Sequence, residues 1–364
     1  MAYEYSVRLH WNLTYNSFGG IMHCIEEVAA IKLDYSIIKM LAFGADYTET
    51  VNGSIMFSRF SQKERNALSY GTDKSYTTAG VRLEFETDSV QLRIEVCAKD
   101  TIPYGRNFYA FDVYCNGEMI GQIKNFNKEP VYPYKKYSTG ERHKRFRLGN
   151  GMKHISIYFP WSVQGMIDEI EIDDGSAVRP VSKKKRIIMY GDSITQGYDA
   201  ASPSYSYASR LADFFDADAL NKGIGGSGFM PELARVKTEF LPDFITVAYG
   251  TNDWKISGFE DFYSRSKAFF ENLSNNYPDI DIFAIAPIWR ADFAEKHALG
   301  DFFRVLETLN EISLKHKNIH FINGADFIPE DTEYFRDGYL HPNDKGFAFY
   351  AKALNNKILK IMKG

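Results

Sequence analysis

The spacing of apolar positions changes character near residue 175. Before it, apolar and polar side chains alternate over short stretches. After it, compact apolar runs are separated by longer segments at helical spacing. In residues 81–96, VRLEFETDSVQLRIEV, Val81, Leu83 and Phe85 alternate with polar partners, Thr87-Asp88 reads as a turn, and Val90, Leu92, Ile94 and Val96 resume the alternation. This pattern predicts a hairpin. Residues 108–114 and 118–123 flank Asn116-Gly117, the pair that best suits a two-residue hairpin turn. Residues 145–148, 154–159 and 166–172 add further strands. Many short strands with closely spaced turns predict an all-β sandwich, jelly-roll-like, over residues 1–175. Residues 176–185 carry a proline and the basic run Lys183-Lys184-Lys185 and read as a solvated linker.

From residue 186 to 364 the pattern alternates. Apolar runs at 187–190, 244–247, 282–285 and 319–322 have strand length, and 204–215, 259–275 and 293–316 have helical spacing. Residues 347–362 form a last amphipathic helix with Asn343 as its cap. Strand and helix in alternation predict a parallel sheet with helices on both faces. The fold class is therefore α/β, preceded by an all-β part.

Composition narrows the function. A net charge of -4 over 364 residues gives no support for nucleic acid or an anionic membrane as partner, and it makes the basic run a connector rather than a binding patch. Tyr and Phe are abundant, at 24 and 28, which suits both sugar-stacking surfaces and sandwich cores. Cys24, Cys97 and Cys115 are odd in number, lack metal-site spacing, and read as free and mostly buried. The start, MAYEYSVRLHW, has neither the basic opening nor the apolar run of a secretory signal, and no uncharged stretch is long enough to span a bilayer. The expectation is a cytoplasmic protein, or a secreted one if a leader has been removed.

Residues 186–197, RIIMYGDSITQG, carry the chemistry. An apolar run empties into a tight turn with Asp192 and Ser193, ahead of a segment able to start a helix. Ser193 thus stands at a strand end, where α/β enzymes keep their reactive groups. A serine hydroxyl needs a base to remove its proton and fixed donors for the oxyanion that results. His341 is the one histidine in a glycine- and proline-bearing loop, DGYLHPND at 337–344, directly before a helix. The other seven have plainer readings: His297 and His316 in a surface helix pattern, His10, His23, His143 and His154 in the first part, and His320 at the start of a strand. No pair has metal-ligand spacing, so neither a metal nor a cofactor is expected. NKGIGG at 221–226 and YGTND at 249–253 put glycines and an amide between serine and histidine.

In this order the four stretches resemble the blocks of the SGNH hydrolases, also called GDSL-type esterases, over roughly residues 186–362. The resemblance implies a three-layer α/β/α, flavodoxin-like hydrolase domain. It implies Ser193 as nucleophile, with its own N–H, the N–H of Gly226 and the side chain of Asn252 as oxyanion donors, and His341 as general base. Asp253 is expected to brace its loop. One part departs from the family pattern: the acid usually lies three residues before the histidine, where this chain has Gly338, and Asp337 lies four before. Three arrangements are open, with Asp337 on the distal nitrogen of His341, another carboxylate such as Asp331 there, or a Ser-His dyad oriented by a backbone carbonyl.

A β-domain followed by an SGNH domain is similar to certain carbohydrate esterases that deacetylate plant polysaccharides. This second resemblance implies a serine esterase for short-chain acyl esters, acetylated oligosaccharides foremost. Trp254, Trp289 and Arg290 follow strand ends and are expected to wall a sugar pocket. No apolar lid-like stretch supports a long-chain lipase. Two other readings stand beside this one: a non-catalytic carbohydrate-binding protein built on a degenerate scaffold, and a short-chain acyl thioesterase or peptidase-like acylhydrolase. The expected partner is a small-molecule or oligosaccharide ester, and neither nucleic acid nor membrane.

Overall fold

The computed structural model describes residues 29–101 and 106–363. The expectations for the first eleven residues, His10, His23 and Cys24 concern positions outside them. In chain order the first part holds β1 (Ala30–Lys32), β2 (Ala42–Phe43), β3 (Tyr47–Val51), β4 (Ser54–Ser58), β5 (Arg82–Thr87), β6 (Gln91–Asp100), β7 (Ala110–Cys115), β8 (Glu118–Lys124), β9 (His143–Arg147), β10 (Lys153–Tyr158), β11 (Val163–Asp173) and β12 (Val178–Pro180). Two short helices, α1 (Tyr35–Met40) and α2 (Gln62–Asn66), interrupt them.

These strands form two antiparallel sheets, one ordered β3-β4-β11-β6-β9 with β1 on β11, the other β12-β5-β10-β7-β8 with β2 on β5. Leu83, Phe85, Val113 and Ile157 from one sheet share a core with Leu92, Ile94, Val96 and Ile167 from the other. The sequence predicted a hairpin over 81–96, and here the structure differs. β5 pairs with β10, β12 and β2, whereas β6 pairs with β11 and β9, so the two strands lie in opposite sheets. Alternation reports which side chains face the core, and both strands face the same one. It cannot say whether they lie side by side or across it. Asp173 shapes the crossing by accepting from Ser89 Oγ at 2.9 Å and Val90 N at 2.7 Å. The hairpin at Asn116-Gly117 is present, with β7 on β8 and both turn residues at positive φ, 51° and 81°.

The connector is more ordered than a solvated linker. Its residues Val178–Pro180 are β12 on the edge of the second sheet, and Lys183 reaches Glu84 at 2.6 Å and Asp216 at 3.4 Å. Cys97 and Cys115, expected to be mostly buried, are free and only half-buried.

The second half runs β13 (Lys185–Gly191), α3 (Ser193–Gln196), α4 (Tyr207–Phe214), β14 (Ala217–Gly223), α5 (Pro231–Arg235), β15 (Phe244–Ala248), α6 (Thr251–Ile256), α7 (Phe259–Asn276), β16 (Asp281–Ile285), α8 (Phe303–Ser313), β17 (Ile319–Ile322) and α9 (Asp344–Lys363). The five strands pair in parallel in the order β14-β13-β15-β16-β17. Numbered within the sheet this is 2-1-3-4-5, the flavodoxin-like order. An unbroken apolar run in β13 follows from burial on both faces. Ile187 and Met189 join the core beneath α4 and α9, and Ile188 and Tyr190 the core beneath α5, α7 and α8.

The predicted helix over 293–316 begins only at Phe303. Residues 293–302 are turns, although Leu299 and Phe302 are buried, so their apolar spacing marks anchoring rather than helix. Asn343 does introduce α9, its Oδ1 accepting from the N–H groups of Lys345 and Gly346 at 3.1 Å each.

The β-part packs directly on the α/β part. The buried guanidinium of Arg82 donates to Ala217 O and Asp213, fully buried Lys222 pairs with Glu64 at 2.7 Å, and Ser204 donates to Asp112 at 2.6 Å.

Candidate active site

β13 ends at Gly191, where an added Cβ would fall 2.0 Å from Thr195 Oγ1, so the turn closes only around glycine. Asp192 then caps α3, accepting from Ile194 N at 2.9 Å, and Ser193 becomes the first residue of that helix. β13 lies between β14 and β15, from which the chain departs in opposite directions, so Ser193 sits at the switch point of the sheet. Asp192 is buried, and among the described residues no cation pairs with it. Burial pushes its carboxyl up to about 7.

From the far end of the chain, the loop before α9 brings His341 to Ser193. Nε2 lies 2.9 Å from Ser193 Oγ, and Nδ1 lies 2.7 Å from Asp337 Oδ2. The other oxygen of Asp337 accepts from the backbone N–H groups of Tyr339, Leu340 and His341 at 3.0, 2.8 and 3.1 Å. One carboxylate thus shapes the loop and holds the imidazole. Gly338, at φ +67°, supplies the left-handed residue that admits the four-residue spacing. Burial alone would raise the Asp337 carboxyl. His341 and the N–H groups of Leu340 and His341 outweigh it and hold the group down at about 2. An ionised Asp337 places the imidazole proton on Nδ1 and leaves the Nε2 lone pair facing the serine hydroxyl. Asp331 instead caps the turn at residues 332–334, accepting from Glu333 N at 2.9 Å.

Residues 189–349 match the family model described as the GDSL-like lipase/acylhydrolase family. Over this stretch the chain is similar to that family. No curated protein sequence matches the chain. Among solved structures, a salicylyl-acyltransferase from a tetracycline biosynthetic pathway superposes with a TM-score of 0.73 at 20% identity, covering 88% of this chain and 94% of that one. A protein from Bacteroides ovatus described as a GDSL-like lipase gives 0.71 at 20% identity, with 92% and 98% covered. A family two carbohydrate esterase from Cellvibrio japonicus gives 0.63 at 16% identity, with 92% and 98% covered. At these identities the likeness is one of fold, and it extends over the β-part as well as the GDSL-like part.

The GDSL-like part brings two more of the expected residues to this end of the sheet. Gly226, in the loop after β14, is exposed and has φ +82°, a conformation that favours glycine. Asn252, in the first turn of α6, donates Nδ2 to Ser227 O at 2.9 Å, which fixes the amide beside the Gly226 loop. Asp253 is fully buried and braces that loop: its Oδ1 accepts from Phe229 N at 3.3 Å and Arg265 at 3.1 Å. Burial pushes its carboxyl up to about 6.

The three residues expected to wall a sugar pocket are placed differently. Trp254 is 0% exposed, donates Nε1 to Gly300 O at 2.9 Å and packs on His297 and Phe302. Arg290 is 2% exposed, and its guanidinium is spent on Asp292, Thr251 and Tyr339. Neither offers a surface to a ligand; both tie the loops after β15 and β16 together. Trp289, 9% exposed, packs between Phe293 and Phe335.

Several site residues carry no signal in the sequence. Asp199 is fully buried with Oδ2 3.8 Å from His341 Nδ1, and Arg106 from the β-part donates to it at 3.0 and 3.3 Å. Asp199, Asp337 and His341 bring ligand-type atoms within 4.8 Å of one another, and Arg106 already supplies a cation to Asp199. Tyr198 lies 5.7 Å from the His341 ring and 4.9 Å from Trp161, whose Nε1 donates to Ala200 O at 3.0 Å. Gln196 of α3 links Gly225 N, at 2.8 Å, to Trp161 O and Thr77 of the β-part. Only the folded contact between the two parts reveals these partners.

Proposed function

We propose that the protein is a serine esterase that removes short acyl groups, acetyl above all, from acetylated oligosaccharides through an acyl-enzyme. The observation that carries this reading is the hydrogen-bonded line Ser193 Oγ, His341 Nε2, His341 Nδ1, Asp337 Oδ2. Ser193 Oγ attacks the ester carbonyl carbon while its proton passes to Nε2. Asp337 keeps the imidazole in the required tautomer and stabilises the imidazolium. The oxyanion is received by the N–H groups of Ser193 and Gly226 and by the amide of Asn252. Collapse breaks the bond to the alcohol oxygen, which leaves with the proton from Nε2. A water molecule then gives a proton to Nε2 and attacks the acyl carbon; collapse breaks the bond to Ser193 Oγ, which takes the proton back from Nε2, and the carboxylic acid leaves.

The choice of acetylated sugars is supported by the kinship of fold with carbohydrate esterases and by the polar, glycine-rich segments around Ser193. The chain divides, on this proposal, into a jelly-roll-like β-domain at 1–175, a connector at 176–185 and a hydrolase domain at 186–364; the change from antiparallel to parallel pairing supports it. A carbohydrate-binding protein without turnover is disfavoured by the aligned serine and histidine.

Aryl esters of increasing acyl length test the proposal. Acetyl and propionyl esters are expected to turn over at least about tenfold faster than octanoyl esters, and acetylated xylo-oligosaccharides to release acetate. Activity that rises with chain length, or short acyl thioesters cleaved much faster than acetylated sugars, would overturn the substrate class.

A further inference from the structure

Lys74, a residue of the β-part, reaches across to the loop after β14, and its Nζ donates to the carbonyl oxygen of Gly225 at 2.6 Å. That oxygen belongs to the same peptide unit as the N–H of Gly226. A trans peptide directs its N–H and C=O to opposite sides, so fixing the oxygen on Lys74 fixes the direction in which the N–H points. Gly226 is exposed, and among the described residues nothing accepts from its N–H. The preceding peptide is held separately, with Gly225 N donating to Gln196 Oε1 at 2.8 Å.

We infer that Lys74 is a positioning residue of the oxyanion hole, which orients and polarises the Gly225–Gly226 peptide; the inference rests on Gly226 donating to the oxyanion as proposed above. An ammonium on the carbonyl oxygen draws electron density along the conjugated amide and makes the N–H at its other end a stronger donor. The benefit is largest when negative charge develops at that N–H, which is in the transition state rather than in the bound ester.

Lys74 is built into its place. Its backbone oxygen accepts from Arg59 Nη2 at 2.9 Å, and the fully buried Arg59 also donates Nη1 to Asn221 O at 2.6 Å and Gly223 O at 2.8 Å, the end of β14. The ammonium has a second partner in Tyr70, whose hydroxyl accepts at 3.1 Å and whose ring centre lies 4.8 Å away. Tyr70 itself stands over the proposed donor: a Cβ at Gly226 would come within 2.9 Å of its hydroxyl. Arg59, Tyr70 and Lys74 all precede the parallel sheet in sequence. The β-part is thereby a component of the catalytic apparatus and not a separable carbohydrate-binding module.

The test compares Lys74→Met, Lys74→Arg and Ser193→Ala in the full chain with an aryl acetate. Lys74→Met keeps an unbranched side chain one atom shorter and removes the charge; kcat should fall roughly tenfold with KM within about twofold, because the Gly226 N–H stays but is a weaker donor. Lys74→Arg, able to reach the same oxygen, should restore kcat to within about threefold of the parent. Affinity for a trifluoromethyl ketone, which forms a tetrahedral oxyanion on the serine, should fall in step with kcat. Should Lys74→Met not fold, Lys74→Gln carries the same comparison. Parental kcat in the neutral variant overturns the inference, as does a loss expressed in KM or thermal stability that arginine does not rescue. The control separates the two levels: turnover retained by Ser193→Ala removes the serine-esterase reading itself, whereas an inert Ser193→Ala beside a fully active Lys74→Met removes only Lys74.

Discussion

Asp337 does two jobs with its two oxygens, and separating them is the sharpest experiment at the residue scale. Asp337→Asn retains an oxygen for the backbone N–H groups of Tyr339, Leu340 and His341, so the loop should keep its shape. It removes the charge that holds the imidazole. Turnover should then fall on the order of 10³- to 10⁴-fold. Near-parental turnover, in a variant folded by circular dichroism, would take Asp337 out of the site. The sequence made Asp337 a candidate but could not choose among acids, since the choice depends on the left-handed Gly338, and spacing alone does not reveal a backbone angle. Trp254 and Arg290 show the same limit. Their place after strand ends was legible, but the direction of their side chains, into the packing between loops, was not.

Elements were most legible where burial imposes a single period. The run at 187–190 is apolar throughout because both faces of β13 are covered, and β15 and β16, buried over most of their length, show nearly the same signature. β14 is the strand of this sheet that the apolar pattern does not mark. Its sequence, ADALNKG, buries small and polar groups because both polar side chains find partners: Lys222 meets Glu64 across the contact with the β-part, and Asn221 donates to Thr195 O of α3 at 2.7 Å. Pairing was less legible than existence. β5 and β6 were visible as strands, yet nothing in their alternation distinguished a hairpin from a crossing between sheets. β12 was hidden for a further reason, being a three-residue edge strand inside a stretch whose proline and lysines read as a connector.

At the scale of the whole molecule, buried carboxyls in both parts set how stability depends on pH. Burial pushes Asp112, Asp192 and Asp253 up to about 6, 7 and 6. Each therefore binds a proton in the folded chain at pH values where the unfolded chain has released it, so stability should grow as pH falls from about 7 toward 4. Glu84 and Asp337 act in the opposite sense. Despite burial, Glu84 is held at about 2 by His154, Arg82 and Lys183, and Asp337 at about 2 by His341; their stabilisation is complete above the ordinary carboxyl range and is lost as pH drops from about 4 to 2. His316, lowered by burial, opposes these raised carboxyls below its ordinary 6.5, and Asp46, Asp213, Asp218 and Asp344, also raised by burial, act with them. Thermal melts should show a midpoint that rises from pH 8 to about 5 and declines below about 4. A midpoint that falls steadily from pH 8 to 5 would contradict this balance. No helix among the described residues is long and apolar enough to cross a membrane.

Ser193 as the carrier of the acyl group is tested most directly by trapping. An aryl phosphonate ester places a tetrahedral phosphorus on the nucleophile and stops there, so intact-mass measurement followed by peptide mapping reads which residue attacked. One adduct per chain is expected, on the peptide that contains Ser193, with esterase activity lost in proportion to labelling and no adduct on Ser193→Ala. Full inactivation with the label on another residue, or persistent turnover in chains fully labelled at Ser193, would contradict it.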